Sequence, residues 1–469
     1  ASIKAAIADR PEQTGLRLAL ANFFEQTGRA AEAVTVYEGV AALEPRSNDG
    51  LAARNRIASL TVDGDEAYAR QVVEGILLDA PDNSDALLLR AALRIGDNQI
   101  DEAIGDLRLV LVKRPASVRA LLGLARAQLL NGNGSLAEEA YRQVLAIDPA
   151  NASASRELAV LVGNRGDTDE AEKLLRQALR IEPGNPDASR NLVRALMIQQ
   201  DFEAAEAEAR RMVSEGQAAG VAKFQLGRAL EAQQDLDGAA EAYRASLEEV
   251  PSAEAPLTSL ARLLVNSGRD AEAEALLAEQ IAAYPDQLRA KYLLAEVYAK
   301  QGKLSDAERA YRRVLDQQPE ASGAYVGIAG LYPAASDERL AALKEGIGVF
   351  PGDVQLGLAL GSTYEKRGDY SAAIDAYETA LGASDDDVLA SNLAALLLDY
   401  RDDPASHARA LELAGRFEGR ANRHPLNTAV LGWAYYRNGD SAKAVRYLEL
   451  AVAEVGQLPQ LHYYLGCLL

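Results

Sequence analysis

The sequence has few of the residues that usually carry chemistry. Its 469 residues include one cysteine, three histidines and one tryptophan, and aromatic residues make up 6% of the chain. The single cysteine, Cys467, excludes a disulfide within the chain. None of His407, His424 and His462 has a second histidine or a cysteine at the spacing of a metal site. The sequence therefore predicts neither a disulfide nor a metal centre.

The motifs of catalysis and cofactor binding are also absent. No glycine-rich phosphate loop occurs, because the glycines stand singly at turns. Serine and aspartate residues fall at turns and helix starts, where hydrogen bonds to the local backbone explain them. A carboxylate pair such as Glu138 and Glu139 is typical of a solvated helix face. We therefore expect no catalytic, cofactor-binding or metal-binding residues, and we expect that the protein is not an enzyme.

Long apolar runs and an excess of positive charge are lacking as well. No run of 18 apolar residues occurs, so no membrane span is predicted in this sequence. The formal net charge of −20 argues against general nucleic-acid binding, which needs a basic face. The acidic balance is typical of a long solvated surface. The apolar residues, 48% of the chain, are largely alanine and leucine, which favour α-helices.

What the sequence does contain is a repeat of about 34 residues. Prolines recur at this spacing along the chain: Pro81, Pro115, Pro149 and Pro183, and again Pro251, Pro285 and Pro319. In the stretch 288–321, Ala295 and Ala307 each stand in the middle of an apolar helical stripe, and Gly302 lies between the stripes. Small residues let two helix backbones approach, and a large residue such as Tyr311 fills the remaining gap. The pattern predicts pairs of antiparallel helices.

This pattern resembles the tetratricopeptide repeat (TPR) and covers essentially the whole chain. The resemblance rests on the small residue of each first helix, the alanine of each second helix, the turn glycine and the closing proline. It implies an all-α, right-handed superhelix, or α-solenoid, of about 13 helix-turn-helix repeats with partial repeats at both ends. We name the first helix of each repeat helix A and the second helix B.

Three repeats break the pattern. Repeat 48–83 has two additional residues, repeat 388–424 has an insertion, and repeat 322–353 is two residues short and rich in glycine. Glycine and proline cost about 1 and 3 kcal/mol in a helix interior, so we predict a bend or boundary in 322–353. The predicted domains are a partial repeat at 1–13, nine repeats at 14–321, the degenerate repeat 322–353, three repeats at 354–458 and a partial repeat at 459–469.

The partial repeats at the two ends indicate whether the sequence is part of a longer protein. A solenoid needs polar caps to stay soluble, and the last residues, Cys467 to Leu469, are apolar. We therefore expect that the sequence is a fragment of a longer repeat protein. A natural end covered by a dimer partner is the alternative.

Helix A carries a basic face although the chain is acidic. In TPR proteins the helix A series lines the concave groove in which ligands lie, so the resemblance implies a binding role for this face. The candidate groove residues here are Arg119, Arg126, Arg156, Arg190, Arg194, Arg228, Arg262 and Arg289, with Phe224 and Tyr292 among them. Arginine pairs bidentately with carboxylates and phosphates, which predicts an extended anionic partner. Alternatively, these arginines pair with glutamates of neighbouring helices, such as Glu157 or Glu231.

Beyond 322–353 the predicted groove becomes neutral and aromatic. Trp433 and Tyr436 fall on its inner face. Aromatic side chains offer a large contact area with a polar handle, so Trp433 could stack on a ring of a peptide or sugar. Alternatively, Trp433 covers helix A of the neighbouring repeat.

The C-terminal part, 391–466, resembles more weakly the large bacterial TPR proteins that accompany exopolysaccharide export and cell-envelope assembly. The resemblance rests on the stretches 392–394, 402–404, 431–436 and 462–463. It implies a periplasmic or membrane-tethered scaffold. The combined expectation is a non-catalytic interaction scaffold, without cofactors, that holds an extended acidic protein or peptide. The alternatives are docking of an anionic polysaccharide and a peptide-sensing array fused to an effector domain.

Overall fold

The fold is all-α, as the repeat pattern predicts. The computed structural model describes residues 7, 13–419, 425–455 and 464, and in these residues it contains 26 α-helices and no β-strand. No helix in this part of the chain is long and apolar enough to cross a membrane. The chain divides into two compact units, unit 1 (Ala1–Glu249) and unit 2 (Val250–Leu469), which are described separately.

Unit 1 is a succession of helix pairs that pack in chain order, each helix against the next. Odd-numbered helices are helix A of a repeat, and even-numbered helices are helix B. The helices are α1 (Thr14–Gln26), α2 (Ala30–Leu43), α3 (Asn48–Thr61), α4 (Glu66–Asp79), α5 (Ser84–Gly96), α6 (Ile100–Lys113), α7 (Val118–Leu130), α8 (Gly134–Ile147), α9 (Ala152–Asn164), α10 (Thr168–Ile181), α11 (Pro186–Gln199), α12 (Phe202–Ser214), α13 (Ala219–Ala232) and α14 (Leu236–Glu249).

Unit 2 continues the same alternation of helix A and helix B. Its helices are α15 (Glu254–Asn266), α16 (Asp270–Ala283), α17 (Leu288–Lys300), α18 (Leu304–Gln317), α19 (Ser322–Gly330), α20 (Asp337–Val349), α21 (Val354–Arg367), α22 (Tyr370–Gly382), α23 (Asp387–Tyr400), α24 (Pro404–Gly415), α25 (Pro425–Arg437) and α26 (Ser441–Val455). Consecutive helices again pack against each other, and most neighbouring A helices are in contact.

Polar side chains start many of the A helices. The side chains of Asn83, Asn151 and Asn185 each accept a hydrogen bond of 3.0 Å from the backbone N–H three residues further on. Such a cap satisfies one of the free N–H groups in the first turn of a helix. The proline and asparagine positions of the repeat therefore mark where helix B ends and the next helix A begins.

The turn from helix A to helix B requires a residue at positive φ. Glycine takes this position in most repeats, as at Gly132 (φ 75°) and Gly302 (φ 73°). Asn98, Gln200 and Gln234 take it in three repeats of unit 1, with φ of 61°, 64° and 67°. Positive φ is unfavourable for a residue with a Cβ atom, so the packed helices on either side must hold these three turns.

The core of several repeats is a small residue of helix A packed against a buried tyrosine of helix B, and other repeats have leucine or alanine at the tyrosine position. A Cβ atom built on Gly227 would lie 2.5 Å from two ring carbons of Tyr243, and Tyr243 is fully buried. The Tyr243 hydroxyl donates a 2.6 Å hydrogen bond to Glu231, which lies one turn further along the same helix A. The ring thus fills the space left by the small residue while its hydroxyl fixes the register of the two helices.

The degenerate repeat 322–353 is built on a short helix A. Helix α19 has nine residues and contains Gly323, Gly327 and Gly330. It lies within unit 2, and its repeat is joined to both neighbours by side-chain hydrogen bonds. Tyr332 donates to Glu308 at 2.6 Å in the preceding repeat, and Arg339 donates to the Thr363 hydroxyl at 3.1 Å in the following repeat. The predicted bend in this repeat stays a prediction.

Several predictions from the sequence fall on parts of the chain that are not described. The partial repeats 1–13 and 459–469 lie outside the described residues, apart from residues 7, 13 and 464. His424, His462 and Cys467 lie outside them too.

We expect the substitution Gly227→Ala to lower the free energy of unfolding by about 1–3 kcal/mol, because the new methyl group overlaps the buried ring of Tyr243. Gly105→Ala is the matched control in unit 1. Gly105 is an exposed residue inside α6, and its added Cβ would meet no atom within 4 Å. Alanine there should raise stability by up to about 1 kcal/mol. Urea unfolding followed by circular dichroism measures both, and equal effects would contradict the packing described.

For the degenerate repeat we expect amide hydrogen exchange in 322–353 to be faster than in 288–321. Three glycines in a nine-residue helix weaken α19 relative to the 13-residue α17, and local opening follows local stability. Exchange followed by mass spectrometry on peptides from both repeats tests this. Equally slow exchange in the two repeats would rule out a weak point at 322–353.

Candidate functional site

The A and B helices of unit 1 carry opposite charge. From α5 to α13 the A helices carry nine cations, which are Arg90, Arg94, Arg119, Arg126, Arg156, Arg190, Arg194, Lys223 and Arg228. They carry four carboxylates, which are Asp85, Glu157, Asp187 and Glu231. The B helices from α6 to α14 reverse this balance, with fifteen carboxylates against nine cations. The net negative charge of the chain thus conceals a basic helix A series.

Many of the cations on the B helices are satisfied by carboxylates of the same helix series. Arg142 pairs with Glu138 at 2.8 Å and with Glu170, on the next helix B, at 2.7 Å. Arg211 makes 2.6 Å ion pairs on either side of itself along the chain, one of them with Glu208. Cations and carboxylates of the B helices therefore form ion-pair networks with one another.

Part of the helix A series is also neutralised. Arg90 and Arg94 of α5 donate to Asp106 of α6, at 2.8 Å and 2.5 Å, and Asp106 is 3% exposed. Burying a carboxylate is unfavourable unless it is paired and hydrogen-bonded, so this triad is a structural ion cluster. Arg90 and Arg94 therefore pair with a carboxylate of the neighbouring helix, which is the alternative to binding a ligand.

Two of the predicted groove arginines pair within their own helix. Arg156 lies 3.0 Å from Glu157, and Arg190 lies 2.8 Å from Asp187. The Arg190 pair is solvent-exposed on both sides, so it contributes little to stability and can open at low cost. Glu157 is thus the partner of Arg156, whereas Glu231 accepts its hydrogen bond from Tyr243.

Arg119, Arg126 and Arg194 are exposed and differ from the others. Among the described residues, none of the three has a carboxylate within 4.0 Å. Arg228 donates a 3.3 Å hydrogen bond to the amide oxygen of Gln225. We call the first three the unpaired arginines. They are the part of the predicted site with charge available for a ligand.

The unpaired arginines line two clefts between neighbouring A helices. The first cleft, between α5 and α7, has Arg119 and Arg126 at its rim. Its wall is apolar and consists of Leu88, Ala91, Ala92, Ile95, Leu107, Gly123 and Leu130. The second cleft, between α9 and α11, has Arg194 at its rim. Its wall includes Ala159, Val160, Gly163, Ala195 and Ile198, with Asn164 and Asn191 beside them.

The field of these cations reaches the helix B side of the repeat. The pKa of Tyr141 is raised to about 12, by burial first and by Glu157 second, while Arg126 and Arg156 act in the opposite direction. A cation lowers the pKa of a phenol because it stabilises the phenolate. Arg126 and Arg156 therefore lie close enough together to act on one buried ring, although they belong to different repeats.

The aromatic members of the predicted site are packed against the core. The ring of Phe224 lies 5.7 Å from that of Tyr243 in unit 1. In unit 2, the ring of Tyr292 lies 5.4 Å from that of Tyr311, edge to face. Arg289 donates to the hydroxyl of a residue on α15 at 3.1 Å, and its guanidinium lies 5.7 Å from the Tyr292 ring. Arg262, also in unit 2, is exposed and interacts with other residues.

The expectation that Trp433 forms an open stacking platform is not supported. The indole is 5% exposed, and two tyrosine rings stack on it, Tyr436 at 4.9 Å and Tyr464 at 4.4 Å between centroids. Its N–H donates to Asp399 at 3.1 Å. Since Asp399 belongs to helix A of the preceding repeat, Trp433 has the alternative role, which is to cover the neighbouring repeat. Tyr436 is half-buried in the same stack.

Sequence reasoning missed the ion cluster at Asp106. The sequence does contain a signal for this cluster, which is that Asp106 stands at an otherwise apolar position of helix B. At the equivalent positions of the adjacent repeats, 34 residues away on either side, stand Val72 and Ala140. Within the described residues, no group of three or more His, Cys, Asp or Glu side chains is arranged to hold a metal ion.

Three family models, each described as a tetratricopeptide repeat, match parts of the chain. The matched residues are 88–152, 165–225, 230–297, 271–326 and 356–389. Together they cover more than half of the 469 residues. The fold, the helix pairing and these matches agree, and the chain belongs to the tetratricopeptide repeat family.

Solved structures of low sequence identity resemble the chain. A tetratricopeptide repeat protein from Parabacteroides merdae is 17% identical, with 50% of this chain and 92% of that chain covered and a TM-score of 0.38. The APC/C hetero-tetramer Cut9–Hcn1 is 12% identical, with coverage of 97% and 96% and a TM-score of 0.39. Naa15/Naa10 bound to HypK-THB is 15% identical, with coverage of 97% and 78% and a TM-score of 0.34.

No match was found among curated proteins. The weaker resemblance of 391–466 to proteins of exopolysaccharide export and envelope assembly therefore stays a prediction.

The burial of Trp433 can be tested by fluorescence, since it is the single tryptophan of the chain. We expect blue-shifted emission and weak quenching by iodide, because two tyrosine rings cover the indole. Free tryptophanamide under the same conditions is the reference for full exposure. Quenching of Trp433 as strong as that of the reference would show an open ring and restore the stacking platform.

Proposed function

We propose that the chain is a non-catalytic scaffold that binds an extended anionic protein segment along the A helices of unit 1. The observation that carries the proposal is the set of unpaired arginines, Arg119, Arg126 and Arg194. In a chain with 69 acidic and 49 basic residues, exposed cations have many carboxylates available. These three lie instead on a helix series in which cations outnumber carboxylates.

The chemistry of the face favours carboxylates as the recognised group. A guanidinium presents a planar fork that matches a carboxylate or phosphate. Single exposed pairs contribute about 0.2–1 kcal/mol, so a partner needs several of them in a row. A series of A helices provides such a row, because each A helix is packed against helix B of its own repeat.

An apolar component favours a peptide over an anionic polysaccharide. Both clefts have walls of alanine, glycine, valine, leucine and isoleucine, which suit aliphatic side chains. A sugar ring would gain more from an open aromatic ring, and Trp433 is buried in a stack of tyrosine rings. The resemblance of 391–466 to envelope TPR proteins suggests a bacterial envelope assembly system as the setting.

Charge reversal of the unpaired arginines tests the proposal. We expect the variant R119E/R126E/R194E to bind a fluorescent octaglutamate peptide at least about tenfold more weakly. Three lost pairs of about 0.2–1 kcal/mol each sum to about 0.6–3 kcal/mol, and repulsion by the three new glutamates adds to this loss, whereas tenfold corresponds to about 1.4 kcal/mol. Fluorescence anisotropy gives the dissociation constant, and circular dichroism checks that the helices are intact.

A matched control distinguishes the effect of the A-helix face on affinity from the effect of the net charge. R108E/K173E/R180E makes the same change in charge at exposed positions on B helices of unit 1, and its affinity should stay within about twofold. Equal losses in the two variants, or no loss in either, would contradict the proposed face. Calorimetry with an oligogalacturonate as a second ligand distinguishes the partner class: tighter binding of the sugar than of the peptide would favour the polysaccharide.

A further inference from the structure

The first cleft runs along the surface of α7. Its lining extends on α7 from Arg119 to Leu130, and on the neighbouring helix A, α5, from Leu88 to Gly96. The two helices are in contact, and both belong to unit 1. At a rise of about 1.5 Å per residue, the two stretches are about 16 Å and about 12 Å long. The cleft is therefore a groove between two A helices, and it has the length of about four or five residues of an extended chain.

The first cleft offers open aliphatic surface. Its volume of about 490 Å³ falls within the range of about 300–1,000 Å³ that is typical of ligand pockets. Leu130, at one end, is 57% exposed. Gly123, near the middle of the α7 side, packs closely on Leu107 of α6, since a Cβ atom built on Gly123 would lie 3.0 Å from a Leu107 methyl carbon. An aliphatic side chain that enters the cleft there removes apolar surface from water.

Two cations flank the middle of this cleft on one face of α7. Arg119 and Arg126 are seven residues apart, which is two helical turns to within about 20° and about 10.5 Å of rise. Gly123 stands four residues after Arg119 and three before Arg126, so it lies between them on the same face. Both arginines are exposed, and among the described residues neither has a carboxylate within 4.0 Å. Asp85, which lines an adjacent cavity with Arg119, pairs instead with Arg114 at 3.7 Å.

We propose that the first cleft binds an extended peptide segment of the form acid–x–aliphatic–x–acid, where x is any residue, and that this segment lies along α7. The aliphatic side chain fills the cleft beside Gly123, and the two carboxylates pair with Arg119 and Arg126. This inference rests on the proposed function and specifies the ligand at one site.

The spacing within the motif follows from the alternation of side chains. In an extended peptide successive side chains point to opposite faces, so residues an even number apart share a face. The aliphatic residue and both acids must face α7, which puts each acid two positions from the aliphatic residue. The acids are then four residues, or about 13–14 Å, apart, and the long arginine side chains bridge the difference from the about 10.5 Å between their backbones. Acids only two positions apart would leave no residue between them on that face.

Peptides of identical composition test the motif on the full chain. The test peptide contains Glu-Ser-Leu-Ser-Glu between serine and glycine residues. The shifted peptide contains Glu-Leu-Ser-Ser-Glu, and the helical peptide has its acids seven apart with leucine four residues after the first, the spacing of one face of an α-helix. We expect the test peptide to bind about tenfold more tightly than either, because its leucine alone faces the cleft together with both acids. Fluorescence anisotropy at low salt, where exposed ion pairs are least screened, measures the affinities.

A cleft-blocking variant provides the second arm. Ala92 is exposed on α5 and lines the first cleft, so the ring in Ala92→Phe occupies the space of the leucine. We expect this variant to bind the test and shifted peptides equally. Ala146→Phe, at an exposed position on α8 outside the cleft, is the matched control and should keep the tenfold preference. Circular dichroism checks that both variants are folded.

A double-mutant cycle tests whether each arginine has its own carboxylate. Arg119→Gln and Arg126→Gln are each combined with test peptides in which the first or the second glutamate is replaced by glutamine. In a single register, each arginine variant lowers the affinity about threefold, and this loss disappears when its own partner glutamate is already absent. Equal coupling in all four combinations would contradict the single register.

The outcomes separate the inference from the proposed function. Equal affinity for the test and shifted peptides, or a preference that survives Ala92→Phe, would overturn the inference even if R119E/R126E/R194E weakens octaglutamate binding. Tighter binding of the helical peptide would overturn the extended conformation. Unchanged binding of every peptide by R119E/R126E/R194E would overturn the proposed function itself.

Discussion

The contact on which the rest of the structure depends is that between a small residue of helix A and the buried side chain of helix B that faces it, which is a tyrosine in several repeats. Gly227 and Tyr243 show it in unit 1, and Gly361 and Tyr377 show it in unit 2. The small residue lets the helices approach, the ring fills the space between them, and its hydroxyl donates a hydrogen bond to a glutamate one turn further along helix A. Because this contact fixes which face of helix A is buried, it also fixes which residues of that helix face outwards.

The charge pattern follows from the same constraint. Carboxylates on the B helices lie beside one another in successive repeats, so they pair with B-helix cations such as Arg142. Cations on the opposite face of the repeat are separated from those carboxylates by the packed core. Where a carboxylate does come through the core, as Asp106 does, it neutralises Arg90 and Arg94. Elsewhere Arg156 and Arg190 pair within their own helices, whereas Arg119, Arg126 and Arg194 stay unpaired, and the A helices of unit 1 present a basic face.

The fold could be predicted from the sequence because its determinants are periodic. A spacing of about 34 residues between prolines, small residues and turn glycines is visible without coordinates, and so is the basic face of helix A. Whether a given side chain on that face is paired or buried does not recur from one repeat to the next. Asp106 stands on another helix from its two partners, and the burial of Trp433 depends on Tyr464, a full repeat away. Such contacts depend on the distances between side chains of different helices. The pattern within one repeat carries no information about these distances.

Charge and shape have different roles on the helix A face. A row of guanidinium groups attracts any extended chain of carboxylates, but it does not select one register, because a polyanion can shift along the row with little change in energy. Apolar cleft walls beside the arginines restrict this freedom, because apolar surface that leaves a cleft is exposed to water again. The walls include alanines and glycines of the A helices, several of which, such as Ala91 and Ala159, also belong to the buried core. The packing that builds the solenoid therefore also shapes the surface beside the unpaired arginines.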